Sequence, residues 1–120
     1  MRLQLALNVD NLDWALDYYT RLFGVEPHKV RPGYANFAID NPPLKLVLFE
    51  NGDAPDRINH LGVEAQTQEE LDEAITRLSE AGLADKLEEN ETCCHAVQDK
   101  VWSQEPQGIA WEWYRITDER

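Results

Sequence analysis

Over the first residues, apolar and other positions alternate. Leu3, Leu5, Leu7 and Val9 fall on one side, and Gln4, Ala6 and Asn8 on the other. A period of two describes a strand with one face turned to a core. From Leu12 the period changes. Leu12, Ala15, Leu16, Tyr19, Leu22 and Phe23 recur at helical spacing, and Gly24 ends the run. Three shorter β-like stretches follow, near residues 26–30, 34–39 and 44–49, broken by Arg31-Pro32-Gly33 and Asn41-Pro42-Pro43.

The same order then recurs. An offset of 56 residues carries Leu5 to Leu61, Leu7 to Val63 and Gln4 to His60. It also carries Ala15 to Leu71, Tyr19 to Ile75 and Leu22 to Leu78. The second helix opens at Thr67 with Glu70 three residues on, the spacing of a capping box, and Gly82 stops it. Stretches near 84–89, 92–102 and 110–116 complete the second set, broken by Glu105-Pro106-Gln107-Gly108. The reading is one α+β domain over residues 1–120, made of two tandem βαβββ modules, 1–50 and 58–117. The link between them contains Asn51-Gly52-Asp53-Ala54-Pro55. The expected architecture is a curved, mixed, eight-stranded sheet around a cleft.

Composition narrows the function. Hydrophobic residues make up 42% and charged residues 28%, as in an ordinary globular chain of 120 residues. The net charge of −12 argues against a nucleic-acid partner or an anionic membrane surface, both of which call for clustered Lys and Arg. The opening residues lack a secretory leader pattern, and no stretch approaches the roughly 18 apolar residues of a membrane span. A cytoplasmic protein is expected. The two cysteines, Cys93 and Cys94, are adjacent, so no structural disulfide joins distant parts of the chain.

Alternation also assigns faces. Gln4 lies opposite the leucines of its strand, and His60 lies opposite Leu61 and Val63. Glu112 and Tyr114 lie opposite Trp111 and Trp113 in the last strand. If the apolar faces pack under the helices, Gln4, His60 and Glu112 all point to the other side. An imidazole, a carboxylate and an amide oxygen can hold a divalent metal and leave positions open. From the faces alone, two satisfied polar residues and an exposed glutamate are the better fit.

The whole chain resembles the glyoxalase/bleomycin-resistance/extradiol-dioxygenase superfamily, the vicinal oxygen chelate proteins, which are built from paired βαβββ modules. The resemblance rests on the doubled order and on the Glu105-Pro106-Gln107-Gly108 turn before the strand that holds Glu112. It implies metal ligands on the first, fifth and eighth strands, which are Gln4, His60 and Glu112 here. Glu50, at the end of the fourth strand, is a weak further candidate. Narrower stretches resemble the subfamily of cadmium-induced proteins and organoarsenical carbon–arsenic lyases. They include Pro32-Gly33-Tyr34-Ala35-Asn36-Phe37-Ala38, Asn59-His60-Leu61-Gly62-Val63-Glu64 and the run from Thr92 to Trp102.

Two thiols on neighbouring residues form a soft, bidentate ligand of the kind trivalent arsenic and cadmium prefer. Neighbours in a regular strand face opposite ways, so residues 92–95 are expected to be a loop or bulge, irregular or mobile. Lys100 and Lys86 are candidate cations for the thiolates, and Glu88, Glu89 and Glu91 would oppose them. His95 is expected at the surface and Trp102 in the core. The resemblance implies Fe(II)- and dioxygen-dependent cleavage of trivalent organoarsenicals, with Cys93 and Cys94 binding the arsenic. It also implies a homodimer, and a site that accepts Ni, Co, Zn or Mn in purified protein. Two other readings stay open: a glyoxalase- or dioxygenase-type enzyme on another small molecule, and a non-catalytic thiol binder of Cd²⁺ or As(III).

Overall fold

The computed structural model describes residues 1–119. The described residues form two compact units, residues 2–60, and 61–119 together with Met1. Among the described residues there are eight strands and two helices. The α+β class and the doubled strand–helix–three-strand order are both observed.

The first unit contains β1 (Arg2–Val9), α1 (Leu12–Phe23), β2 (Lys29–Arg31), β3 (Tyr34–Ile39) and β4 (Leu44–Glu50). Its strands lie in the order β2-β3-β4-β1. β1 runs parallel to β4, from Leu3 opposite Leu44 to Val9 opposite Glu50, and β3 runs antiparallel to β4. A parallel pair needs a crossover, and α1 supplies it. The Asn11 side chain accepts from the Trp14 amide at the start of α1, and Gly24 closes the end at φ 69. The core is Leu12, Ala35, Phe37, Ile39, Leu46 and Leu48, with Leu5, Leu7 and Leu16 packed against it. The leucine face of β1 therefore does lie on the core of this unit. Leu3, at the strand's start, is 51% exposed.

β5 (Ile58–Glu64) begins in the first unit and ends in the second. The second unit continues with α2 (Gln68–Glu80), β6 (Lys86–Cys93), β7 (Ala96–Gln104) and β8 (Ala110–Glu119), in the order β5-β8-β7-β6. β5 runs parallel to β8, which repeats the β1–β4 relation. The capping box at Thr67 and Glu70 forms as the spacing predicts. Leu71, Ala74 and Leu78 bury the inner side of α2, and the Arg77 guanidinium sits 4.8 Å over the Trp113 ring.

The offset of the repeat carries Arg2 to Ile58 and Leu12 to Gln68, the first residues of β5 and α2. It fails in the hairpins. The sequence breaks the chain between residues 89 and 92, whereas β6 runs on to Cys93 and pairs it with Ala96 of β7. The extra length goes into one long arm. Its turn, Cys94-His95, has φ values of 56 and 65, the left-handed backbone that primed two-residue hairpins require. No helix is long and apolar enough to cross a membrane.

Candidate metal and thiol site

The β1–β4–β3 register places Gln4, Lys45, Asn8 and Asn36 on one sheet face, opposite the leucine face. These polar residues are buried, Gln4 to 5% exposure. His60, on β5, is 9% exposed. Its Nε2 lies 2.9 Å from Gln4 Nε2. The structure thus brings together two of the three expected ligands, both in the first unit. The other imidazole nitrogen, Nδ1, lies 2.7 Å from Asn59 Oδ1. Asn59 in turn donates through Nδ2 to Asn8 Oδ1 at 3.1 Å, and Asn8 Nδ2 donates to the Asp56 carbonyl at 2.9 Å.

Glu112 belongs to the second unit and is 3% exposed. Its Oε2 takes a 2.9 Å hydrogen bond and ion pair from Lys100 Nζ, itself 2% exposed. Burial alone would lower the Lys100 pKa, but the charge and hydrogen bond of Glu112 outweigh it and raise the net value. Register puts Tyr114 on the same face, beside Lys100 and opposite Glu64, to which the Tyr114 hydroxyl donates at 3.3 Å.

Cys93 and Cys94 are half-buried, with Sγ atoms 2.8 Å apart. The expectation of irregular backbone is met by the Cys94-His95 turn, which lets adjacent thiols meet. Cys93 pairs with Ala96, and alternation along β7 puts Ala96, Gln98 and Lys100 on one face. Gln98 Nε2 also holds the Cys93 carbonyl at 3.0 Å. The hydrogen bond with Cys93, followed by burial, raises the Cys94 pKa far above the ordinary thiol range; Lys100 pulls the other way. Lys100 is therefore the cation near the thiols. Lys86 is exposed at the far end of the arm, opposite Trp102. The carboxylate acting on Cys94 is Glu112 rather than the arm's own glutamates.

Two expectations change. Glu50 is committed elsewhere: its Oε2 accepts the Leu12 amide at 2.8 Å and caps α1. Trp102 is half-buried rather than core, donating to Glu88 at 2.6 Å. His95 is exposed, as expected, but as part of the turn itself.

A donor set of amide, imidazole and carboxylate suits a divalent cation. With Asn59 Oδ1 beside His60 Nδ1, the other ring nitrogen, Nε2, is the one placed to face a metal. Gln4 would present Oε1, the other end of its amide. Among the described residues, no three His, Cys, Asp or Glu side chains cluster as a metal site.

The family model of the Glyoxalase/Bleomycin resistance protein/Dioxygenase superfamily matches residues 3–113. The chain belongs to this superfamily. Its fold agrees with the Mn(II)-bound glyoxalase from Novosphingobium aromaticivorans, at TM-score 0.68 and 17% identity, over 98% of this chain and 40% of that one. Among curated relatives, a trivalent organoarsenical cleaving enzyme of Thermomonospora curvata is 55% identical over 117 residues, 96% of this chain and 77% of its own. Cadmium-induced protein CadI of Mycobacterium tuberculosis is 54% identical over 115 residues, 96% of this chain and 76% of its own.

Proposed function

We propose that this superfamily member is a dioxygen-dependent carbon–arsenic lyase acting on trivalent organoarsenicals. The observation that carries the reading is the thiol pair, 2.8 Å apart at a strained hairpin turn, in a chain 55% identical to an organoarsenical cleaving enzyme. Two left-handed non-glycine residues cost on the order of 1 kcal/mol each. A turn built only for stability would use Asn or Gly there.

In this reading Cys93 and Cys94 hold the arsenic as a dithiolate. A neutral methylarsenite carries two hydroxyls, and each leaves as water with one thiol proton. Gln4, His60 and Glu112 would hold a divalent metal, Fe(II). When bound, Fe(II) supplies the electrons that make dioxygen reactive. The chain's own residues supply the rest. The turn fixes the arsenic, converting an encounter between two small molecules into a positioned one. Lys100 balances the charge of Glu112. The overall change balances: methylarsenite and one dioxygen give arsenite and formaldehyde, as the carbon–arsenic bond breaks and the carbon is oxidised. A homodimer and a cytoplasmic setting belong to the same reading.

The test is Fe(II)-reconstituted protein with methylarsenite in air. Arsenite should appear with wild type and fall to background after chelation, and in the Cys93→Ser and Cys94→Ser variants. Unchanged turnover in the cysteine variants removes the thiol role, and unchanged turnover after chelation removes the metal role. A second reading, capture of a soft ion without chemistry, is favoured by the thiol pair taken alone. It requires no dioxygen uptake.

A further inference from the structure

His60 has two ring nitrogens, and only a lone pair on the correct one can take a metal. The hydrogen bonds of the first unit fix which one it is. One group in this series of contacts cannot change role. The Asp56 backbone carbonyl only accepts, so the Asn8 atom 2.9 Å from it is Nδ2. Asn8 Oδ1 then faces Asn59, and the Asn59 atom 3.1 Å away must be the donor, Nδ2. Asn59 Oδ1 therefore faces His60, and the ring nitrogen 2.7 Å from it must carry a proton. That nitrogen is Nδ1. In the neutral ring Nε2 keeps its lone pair, which the Gln4 amide N–H meets at 2.9 Å.

We infer that Asn8 and Asn59 are positioning residues that lock His60 in the Nδ1–H tautomer and prepare Nε2 as the metal-binding nitrogen. The consequence for metal rests on the proposed ligand role of His60; the tautomer itself does not. Each contact in the chain has one polarity, so one backbone carbonyl sets the state of a ring three hydrogen bonds away. Asn8 is also fixed through its backbone, whose N–H donates to the Arg57 carbonyl at 2.7 Å. Asn8 is 6% exposed and shielded from competing water. Asn59 is exposed, so replacing it leaves the core intact. Its contact with His60 has a conservative substitute, because an aspartate oxygen accepts the same Nδ1–H.

The experiment is ¹⁵N NMR of the histidine side chains in metal-free protein at a pH where His60 is neutral, paired with Mn(II) titration. Wild type should show a protonated Nδ1 and a pyridine-like, unprotonated Nε2. In Asn59→Leu this single pattern should give way to a mixture containing Nε2–H. Mn(II) should bind about 10- to 100-fold more weakly, the usual range for loss of a partner to a ligating histidine. Asn59→Asp should restore the Nδ1–H pattern and bring Mn(II) affinity back to within a few-fold. Asn8→Leu should produce part of the Asn59→Leu effect, since Asn59 can then turn over. An Nε2–H ring in wild type, or an unchanged ring in Asn59→Leu, overturns the inference. If the ring responds as expected but wild type binds no Mn(II), the positioning relay stands and the metal reading fails.

Discussion

The two units start from one plan and end with different chemistry. In the first, β2 pairs with β3 over three residues, and the turn between Arg31 and Tyr34 is Pro32-Gly33. Proline presets the first turn position and Gly33 takes the positive φ of 72, so this hairpin is relaxed. In the second, the corresponding hairpin joins β6 of eight residues to β7 of nine. Its turn, Cys94-His95, asks for two left-handed residues and has no glycine. The short hairpin serves the fold. The long one carries two soft donors on a turn that is costly to keep. The first strands diverge in the other sense, since Gln4 and His60 sit at equivalent places in the repeat and meet through an amide and an imidazole. Harder donors come from strand positions, which hold geometry well. The soft donors come from a strand end and the turn that follows it, where adjacent side chains can converge.

The strongest way to break this division is to remove one donor type and read both affinities. His60→Ala should lose measurable Mn(II) binding while methylarsenite binding stays within about twofold of wild type. Cys94→Ser should do the reverse, weakening methylarsenite by on the order of a hundredfold or more, since one thiol cannot chelate. Crossed or shared losses would mean that the two sites are not separable.

A pH series sharpens the chemistry of the arm. The raised pKa of Cys94 means that its proton is still bound at neutral pH. Cadmium must expel that proton to solution, so its affinity should rise with pH by about tenfold per unit for each proton released. Methylarsenite carries the thiol protons away as water, so its affinity should be nearly flat between about pH 6 and 8. Isothermal titration in buffers of different ionisation enthalpy counts the protons. A cadmium affinity that stays flat over this range, with a methylarsenite affinity that falls as pH rises, would show that the thiols do not start protonated.

The smallest effect concerns the turn. His95→Gly should raise stability by roughly 0.5–1 kcal/mol, because glycine adopts the left-handed backbone without a penalty. Replacing Cys94-His95 by Asn-Gly should stabilise the hairpin further and abolish methylarsenite binding. Thermal unfolding checks both. A drop in stability on either change would show that the turn is not strained.

Much of this was legible because patterning survives where burial is one-sided. β1, α1, β5 and α2 each have one apolar face, so period and offset located them, and the alternation assigned Gln4, His60 and Glu112 to their faces. β6 was misjudged for a physical reason. Its residues Lys86–Cys93 are almost all exposed, so there was no apolar alternation to follow. The turn after it carries none of the usual turn residues. Glu50 reads as a weak ligand candidate from its place at the end of a strand, and only the fold brings it to the Leu12 amide. The Lys100–Glu112 pair could have been suspected from alternation, because both point away from apolar neighbours, but its register depends on the β7–β8 pairing. The Asn8–Asn59 relay was invisible, since it hangs on the direction of the Asp56 carbonyl.

The central claim is that this chain breaks carbon–arsenic bonds rather than only holding arsenic. The most direct measurement is speciated arsenic analysis of Fe(II)-loaded protein given excess methylarsenite in air, with dioxygen uptake recorded alongside. The account predicts several equivalents of arsenite per protein, with one dioxygen consumed for each. Stoichiometric methylarsenite binding with no arsenite and no dioxygen uptake would contradict it and identify the thiol pair as a capture site.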